Sequence, residues 1–545
     1  MEGHQLKKFI IILPLLLIIG GMVIVLKNMK SESSSVIPKT TVSSAYDVER
    51  LATQEKTSSD MMKTYKKGNY SLTHPYIIKD PYNVAPLTTL VMFKTKEKTK
   101  ITITVEGKDT ESTITKTISD FKTEHEIPII GLYADYNNTV KIKSEAEDGT
   151  VKTKELRIET ESLPEDFLQN EVVKANKEKM EDGLTFIESS FGYGYAVDNN
   201  GDVRWFSSLP IHATFKRLKN GNVLYVTKKD KQYNEILEMD MLGKLSNAYT
   251  IQPQTYTNSD VIHHDLIEMP NGNLLATVNS DEKYIEDIIV EIDRQTGEVV
   301  HTIDLKDILP ENFYMEYDGP SGEDGEVDWF HLNAIVYDES DDSLIISGRH
   351  QDTVMKIDYS TSKIKWILAD HEDWPNSYKK FLLTENGKDF KYNAGQHAPM
   401  ILPDQDNNSD TLDILLFDNN NVISRGNKTE SQKYSRAVQY RINEKTRTVK
   451  EVWSYGESRG KDFFSSIVGN AVYQNSTGNR LITSGYILGE NDSAESRVVE
   501  VTNDSNANVV FELKITGFEQ GSHRQVYRAW RGSLYPDLWE FKLDY

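Results

Sequence analysis

Asp328-Trp329-Phe330-His331-Leu332-Asn333-Ala334-Ile335, running on to Ser347-Gly348-Arg349-His350-Gln351, is the stretch whose reading decides the fold. Asn333 to Tyr337 predicts one strand, Asp338 to Ser343 an acidic turn, and Leu344 to Ser347 the return strand of a hairpin. An antiparallel return sets the start of the first strand beside the end of the second. His331, Asn333 and Arg349 are therefore expected at one end of one hairpin. Imidazole, carboxamide and guanidinium together suit a tetrahedral oxyanion: Arg offers a rigid fork, Asn an N–H donor, His a donor or nucleophile. Taken alone, the same three residues fit a satisfied polar rim on a β protein equally well.

The pattern recurs. Ile262-His263-His264-Asp265-Leu266 leads through Pro270-Asn271-Gly272-Asn273 into Leu274-Leu275. Gln396-His397-Ala398-Pro399-Met400 leads through an Asp/Asn-rich turn into Ile414 to Asp418, and Ile211-His212-Ala213 leads through Asn220-Gly221-Asn222 into Val223 to Val226. Four repeats each begin a strand near a His. Repeats of this length built from strands predict a β-propeller, in which the innermost strand of each blade starts near the axis. Inner strands counted from Gly194–Val197, Phe215, Leu266, Ala334, Met400 and Ala471–Tyr473 give about six blades. The apolar Gln525–Arg531 is expected to close the ring by completing the first blade.

Upstream, five alternating or β-branched runs between Thr89 and Ile158 predict a small immunoglobulin-like β-sandwich. The apolar run Phe9 to Leu26, flanked by lysines, is long enough to span a bilayer and has no clear cleavage site after it. It predicts an uncleaved single-pass signal anchor with the bulk of the chain outside the cytoplasm. Expected boundaries are 1–30 for the cytoplasmic stub and anchor, 31–69 for a linker that passes into a short helix near Tyr46 to Tyr65, 70–165 for the sandwich and 166–545 for the propeller. The fold class is all-β.

A net charge of −22 over 545 residues argues against nucleic-acid binding. No cysteine is present, which removes disulfides, thiol catalysis and Cys-ligated metals. An anion-binding pocket in so acidic a chain must be made positive locally, by Arg349 and the histidines.

These motifs in this order resemble the bacterial arylsulfate sulfotransferases that do not use the nucleotide sulfate donor. The resemblance runs from about Tyr70 to the end. It implies a small β-sandwich, a six-bladed propeller, a phenolic sulfate donor and a phenolic acceptor, with no cofactor and no metal. It implies His397 as a transiently sulfated nucleophile, and His331, Asn333 and Arg349 as holders of the sulfuryl oxygens. A further His comes from the His-His-Asp segment, either His263 or His264, and Tyr133 resembles a loop tyrosine that reaches towards the site. His350 is set aside because adjacent strand residues face opposite ways. His212 fits the repeat position with no role attached. Enteric members of the family carry a disulfide and are soluble in the periplasm; this chain departs on both points. Homodimerisation through the sandwich is compatible with the residues but tied to none of them. Two rival readings stand beside this one: a metal-dependent propeller lyase or hydrolase, which Arg349 in the same pocket argues against, and a non-catalytic extracellular binding propeller.

Overall fold

The structure is a computed structural model that describes residues 42–252, 260–279, 283–320, 325–489, 493–519, 524–537, 539 and 541–543. The expected anchor, Phe9 to Leu26, lies outside the described residues. Among those described, no helix is long and apolar enough to cross a membrane.

From residue 42 the expected linker is regular structure. Ser43–Tyr46 adds antiparallel to the edge strand Leu245–Gln252. A helix follows over Val48–Lys67, capped by the Asp47 carboxylate, which accepts from Arg50 N at 3.0 Å. Glu49 in its first turn and Lys66 and Lys67 in its last complement the helix dipole. Met61, Met62 and Tyr65 are buried, so the helix packs rather than tethers.

The N-terminal domain is one hydrogen-bonded sheet of five strands rather than two separate sheets. Two of the predicted strands, Thr89–Phe93 and Lys100–Val105, are halves of one long strand, Thr88–Val105, broken by register shifts against Ile114–Ile130. Its first half pairs with Tyr76–Lys79 and its second with Asn137–Ala146, so one strand serves two sets of partners.

Among the described residues, six further sheets of four or five strands follow, antiparallel except where the short edge strand Thr384–Glu385 pairs parallel with Thr448–Tyr455. The first holds Leu184–Ser190, Tyr193–Val197 and Val203–Pro210. It is completed by Gln525–Gly532 pairing with Leu184–Ser190, as expected of the C-terminal segment. The edge strand facing the neighbouring sheets is therefore Gln525–Gly532, not Gly194–Val197, which lies in the sheet interior. The sixth sheet takes Gln169–Ala175 as its own outer strand.

Side-chain hydrogen bonds and ion pairs join consecutive sheets at or near their first strands. Lys216 pairs with Asp265. Asp265 Oδ2 accepts from Ile335 N at 3.0 Å, and Asn333 Nδ2 donates to Gln396 O at 2.7 Å. Asn419 Nδ2 donates to Val468 O at 3.1 Å, Asn470 Nδ2 to Ala529 O at 2.9 Å, and Trp530 Nε1 to Phe215 O at 2.8 Å. Each of these groups is buried or half-buried, where polar atoms need a partner.

Candidate active site

The first strands do not begin as regular strands. Ala213, His264, His331, Ala398 and Val468 all have left-handed backbones, with φ between 49° and 53°. Register shifts follow in the third, fourth and fifth sheets. A non-glycine residue held there costs of order 1 kcal/mol, and such bulges re-aim side chains. At His264 and His331 the histidine itself takes the left-handed position; His212, His263 and His397 each come just before it.

The result is a cluster of imidazoles. His264 and His331 ring centroids lie 4.4 Å apart, and His331 and His350 4.5 Å apart. His331 Nδ1 is 2.6 Å from Asp328 Oδ2 and 2.8 Å from Glu286 Oε2. Burial pulls this imidazole down, but the two carboxylates outweigh it and hold it at about 9. His331 is thus a protonated histidine at neutral pH. His264 Nε2 donates to the same Glu286 oxygen at 2.9 Å, and its Nδ1 is 3.2 Å from the Tyr527 hydroxyl. Of the adjacent pair, His264 is the one in the cluster. His263 is buried with neither ring nitrogen bonded, and burial pushes it down to about 3.

Setting His350 aside proves incorrect. Its Nε2 accepts from Arg349 Nη1 at 2.6 Å, its Nδ1 donates to Asp328 O at 2.6 Å, and burial drives it down to about 2. Adjacent residues face opposite ways only inside a regular strand. Arg349 and His350 lie beyond the end of Ser343–Gly348, where the chain turns. Arg349 is 8% exposed and has no carboxylate ion pair among the described residues, and its Nε is buried without a partner.

His397 is buried, and its Nδ1 is 2.7 Å from Asn419 Oδ1 and 3.1 Å from Gly395 O. Burial first, and the Arg349 guanidinium second, hold it well below the usual imidazole range. It is therefore neutral, with Nδ1 protonated because both neighbours of that atom are acceptors. Nε2 keeps its lone pair and has no protein partner among the described residues. Tyr527 meets the His397 ring edge-on at 6.4 Å.

Asn333 is fully buried; its Nδ2 donates to the Gln396 carbonyl at 2.7 Å, which stitches the fourth sheet to the His397 segment, and its Oδ1 has no partner among the described residues. Tyr133 is a correction. It is 2% exposed, and its hydroxyl accepts from Lys108 N and from Arg204 Nη1, both at 3.1 Å. Arg204 also pairs with Asp198, so Tyr133 sits in a buried network that joins the N-terminal domain to the first of the six sheets. An aromatic at a loop-to-strand entry packs as readily as it binds. Tyr133→Phe is expected to lower the unfolding free energy by about 1 kcal/mol and leave turnover unchanged; chemical denaturation beside an activity assay checks both. His212 packs at a tilt against Phe191 and Tyr233, with ring centroids 4.8 and 4.9 Å away, and its Nδ1 has no partner among the described residues.

Sequence reasoning gave no role to Glu286, Asp328, Tyr527 or Asn419. Asp328 stands in the deciding stretch itself, three residues before His331. Two trios, His263–His264–Glu286 and Asp328–His331–His350, hold ligand atoms within 4.8 Å of one another and offer N and O donors that suit a divalent ion. Their carboxylates are already matched by His331, His264 and His350.

Comparison with known proteins identifies the family. The arylsulfotransferase (ASST) family model matches residues 169–528, and the arylsulfotransferase Ig-like domain model matches residues 76–161. The arylsulfate sulfotransferase AssT of Escherichia coli is 26% identical over 73% of this chain and 82% of its own length. The protein of the same name from Lelliottia amnigena gives the same identity and coverage. Among solved structures, a periplasmic gluconolactonase from Pseudomonas aeruginosa aligns with a TM-score of 0.30 at 12% identity, covering 73% of this chain and 98% of that one. The family models together take in both the N-terminal sheet and the six that follow, and the chain belongs to the arylsulfotransferase family.

Proposed function

We propose that this protein moves a sulfuryl group from a phenolic sulfate ester to a phenolic acceptor in two half-reactions, through a sulfated His397. The observation that carries the reading is Arg349, a buried guanidinium without a carboxylate partner among the described residues, near enough to His397 to depress its basicity. A buried cation with no direct ion pair among the described residues, on which the Asp328 and Asp352 carboxylates act only at longer range, and whose charge is felt by a neutral imidazole, suits an anion that the imidazole attacks. The reading extends to the frame. The bonds linking each sheet to the next run from the second sheet round to the first and back to the second, which supports a closed six-bladed propeller with the histidines at its axis.

In the first half-reaction the His397 Nε2 lone pair forms the N–S bond. The S–O bond to the aryl group breaks, and its electron pair leaves on the phenolic oxygen. Protonated His331 gives that oxygen a proton and becomes neutral. Arg349 stabilises charge on the sulfuryl oxygens as the bond to the aryl group lengthens. In the second half-reaction neutral His331 takes the proton of the acceptor phenol. Its oxygen attacks sulfur, and the N–S bond returns its pair to Nε2. No metal enters these steps. The divalent-ion reading has the two His/carboxylate trios in its favour and the Arg349 charge against it.

A transfer assay on chelated protein separates the two. Nitrophenol release from para-nitrophenyl sulfate that needs added phenol and survives chelation is expected. Release lost on chelation and restored by a divalent ion would favour the metal reading, and no release with any phenol would sink this one.

The pH dependence gives a further expectation. His331 is an acid only while protonated, so the donor half-reaction should lose rate as pH rises through about 9. The loss should be steep with phenyl sulfate, whose phenoxide needs a proton (phenol pKa about 10), and shallow with para-nitrophenyl sulfate. Equal limbs for both donors would remove His331 from proton donation.

A further inference from the structure

We propose that Asn419 is a positioning residue for His397: its carboxamide oxygen fixes the proton on Nδ1 and so reserves Nε2 for the sulfuryl group. The inference rests on the reading of His397 as nucleophile. Asn419 is fully buried one residue beyond the strand Thr411–Asp418, at the place Arg349 takes beyond Ser343–Gly348 in the preceding sheet.

Its orientation is not free. Nδ2 donates to Ser465 O at 2.9 Å and to Val468 O at 3.1 Å, both buried backbone carbonyls ahead of the sixth sheet. With both N–H groups committed, Oδ1 must face the other way, onto His397 Nδ1 at 2.7 Å. An amide so held can only accept there, so the imidazole can only donate. Ser435 Oγ lies 3.0 Å from the Asn419 carbonyl and 3.2 Å from Ser465 O, which share its one proton, and it accepts from Ser465 N at 3.0 Å, bracing the same loop.

The arrangement acts twice. It leaves the attacking lone pair on the nitrogen without a protein partner. It also sets a carbonyl dipole against Nδ1–H, which becomes more acidic once Nε2 carries sulfur and the ring bears positive charge. A carboxylate in that place would do more: it would favour imidazolium before attack and remove the lone pair at neutral pH. The choice of amide over acid is therefore part of the inference.

Two variants and two readouts test it in the full chain. The first readout is the ¹⁵N spectrum of histidine-labelled protein, with His397 assigned by its loss in His397→Ala. It needs no turnover, so it stands even if sulfuryl transfer is disproved. The native chain should show Nδ1 protonated and Nε2 bare. Asn419→Leu, which keeps the bulk and removes the acceptor, should mix the tautomers and lower kcat by roughly 10- to 100-fold, the usual effect of losing an orienting partner of a histidine, with KM for the donor little changed. Asn419→Asp should keep the Nδ1 proton but move the acidic limb of the donor half-reaction upward, so that activity lost at neutral pH returns in mild alkali. An unchanged tautomer in Asn419→Leu would overturn the proposal. So would a rate in Asn419→Asp that falls equally at every pH, which is the mark of a merely structural residue.

Discussion

His397→Ala is expected to reduce sulfuryl transfer by roughly 10⁴- to 10⁶-fold, the range over which loss of a nucleophile leaves only binding and electrostatic stabilisation. The reason lies in the state of the ring. Burial and Arg349 keep His397 neutral, two acceptors hold the proton on Nδ1, and Nε2 is bare. No neighbouring imidazole duplicates this. His331 is protonated, His264 and His350 have both nitrogens engaged, and His263 lies outside the hydrogen-bonded cluster. The variant should therefore not be rescued from within, and both half-reactions should fail together. Measured exchange between labelled phenol and phenyl sulfate reports the two halves at once. Retained exchange would move the nucleophile to another residue.

Arg349→Ala should cost about 10²- to 10³-fold in kcat, as for removal of one oxyanion donor. The donor's KM should rise as well, because Arg349 is the cluster's only guanidinium without a carboxylate partner among the described residues. Arg349→Lys should recover little. A point charge cannot offer two parallel N–H groups to two sulfuryl oxygens, nor bond His350 Nε2 at the same time. A lysine variant with near-native kcat would mean that charge alone is wanted there and that the fork is incidental.

Much of this was legible in the chain, and the misses share causes. The hairpin Leu332–Asp338 with Ser343–Gly348 follows directly from alternation and an acidic turn, and its geometry puts Arg349 N on His331 O at 3.1 Å. The closing strand Gln525–Gly532 was legible too, but its consequence was not. Because the C-terminus supplies the first sheet's site-facing edge, Tyr527 enters the site from 130 residues beyond His397, with no repeat pattern to mark it. His350 escapes the alternation of regular strands because it lies in the turn beyond Ser343–Gly348, and His264 and His331 escape it through their left-handed backbones. Glu286 has the same character, φ 57° on a connection between strands, where nothing in the sequence points inward. The helix expected near Tyr46 to Tyr65 is present as Val48–Lys67; that it packs rather than tethers was not legible, because its charges hide a narrow buried face of Met61, Met62 and Tyr65. Asn419 was within reach. The position just beyond the second strand gives Arg349 in one hairpin and Asn419 in the next, and only the first was weighed.

The central claim is that the sulfuryl group rests on His397 between donor and acceptor. The direct test is to mix the protein with phenyl sulfate in the absence of any acceptor, quench in alkali, where a sulfonated imidazole survives, and map the modified peptide by mass spectrometry. The account predicts one sulfuryl group per chain, on the peptide carrying His397, discharged when phenol is added before the quench. A chain that releases phenol only when acceptor is present and never carries the group would mean direct transfer between the two phenols, and would contradict it.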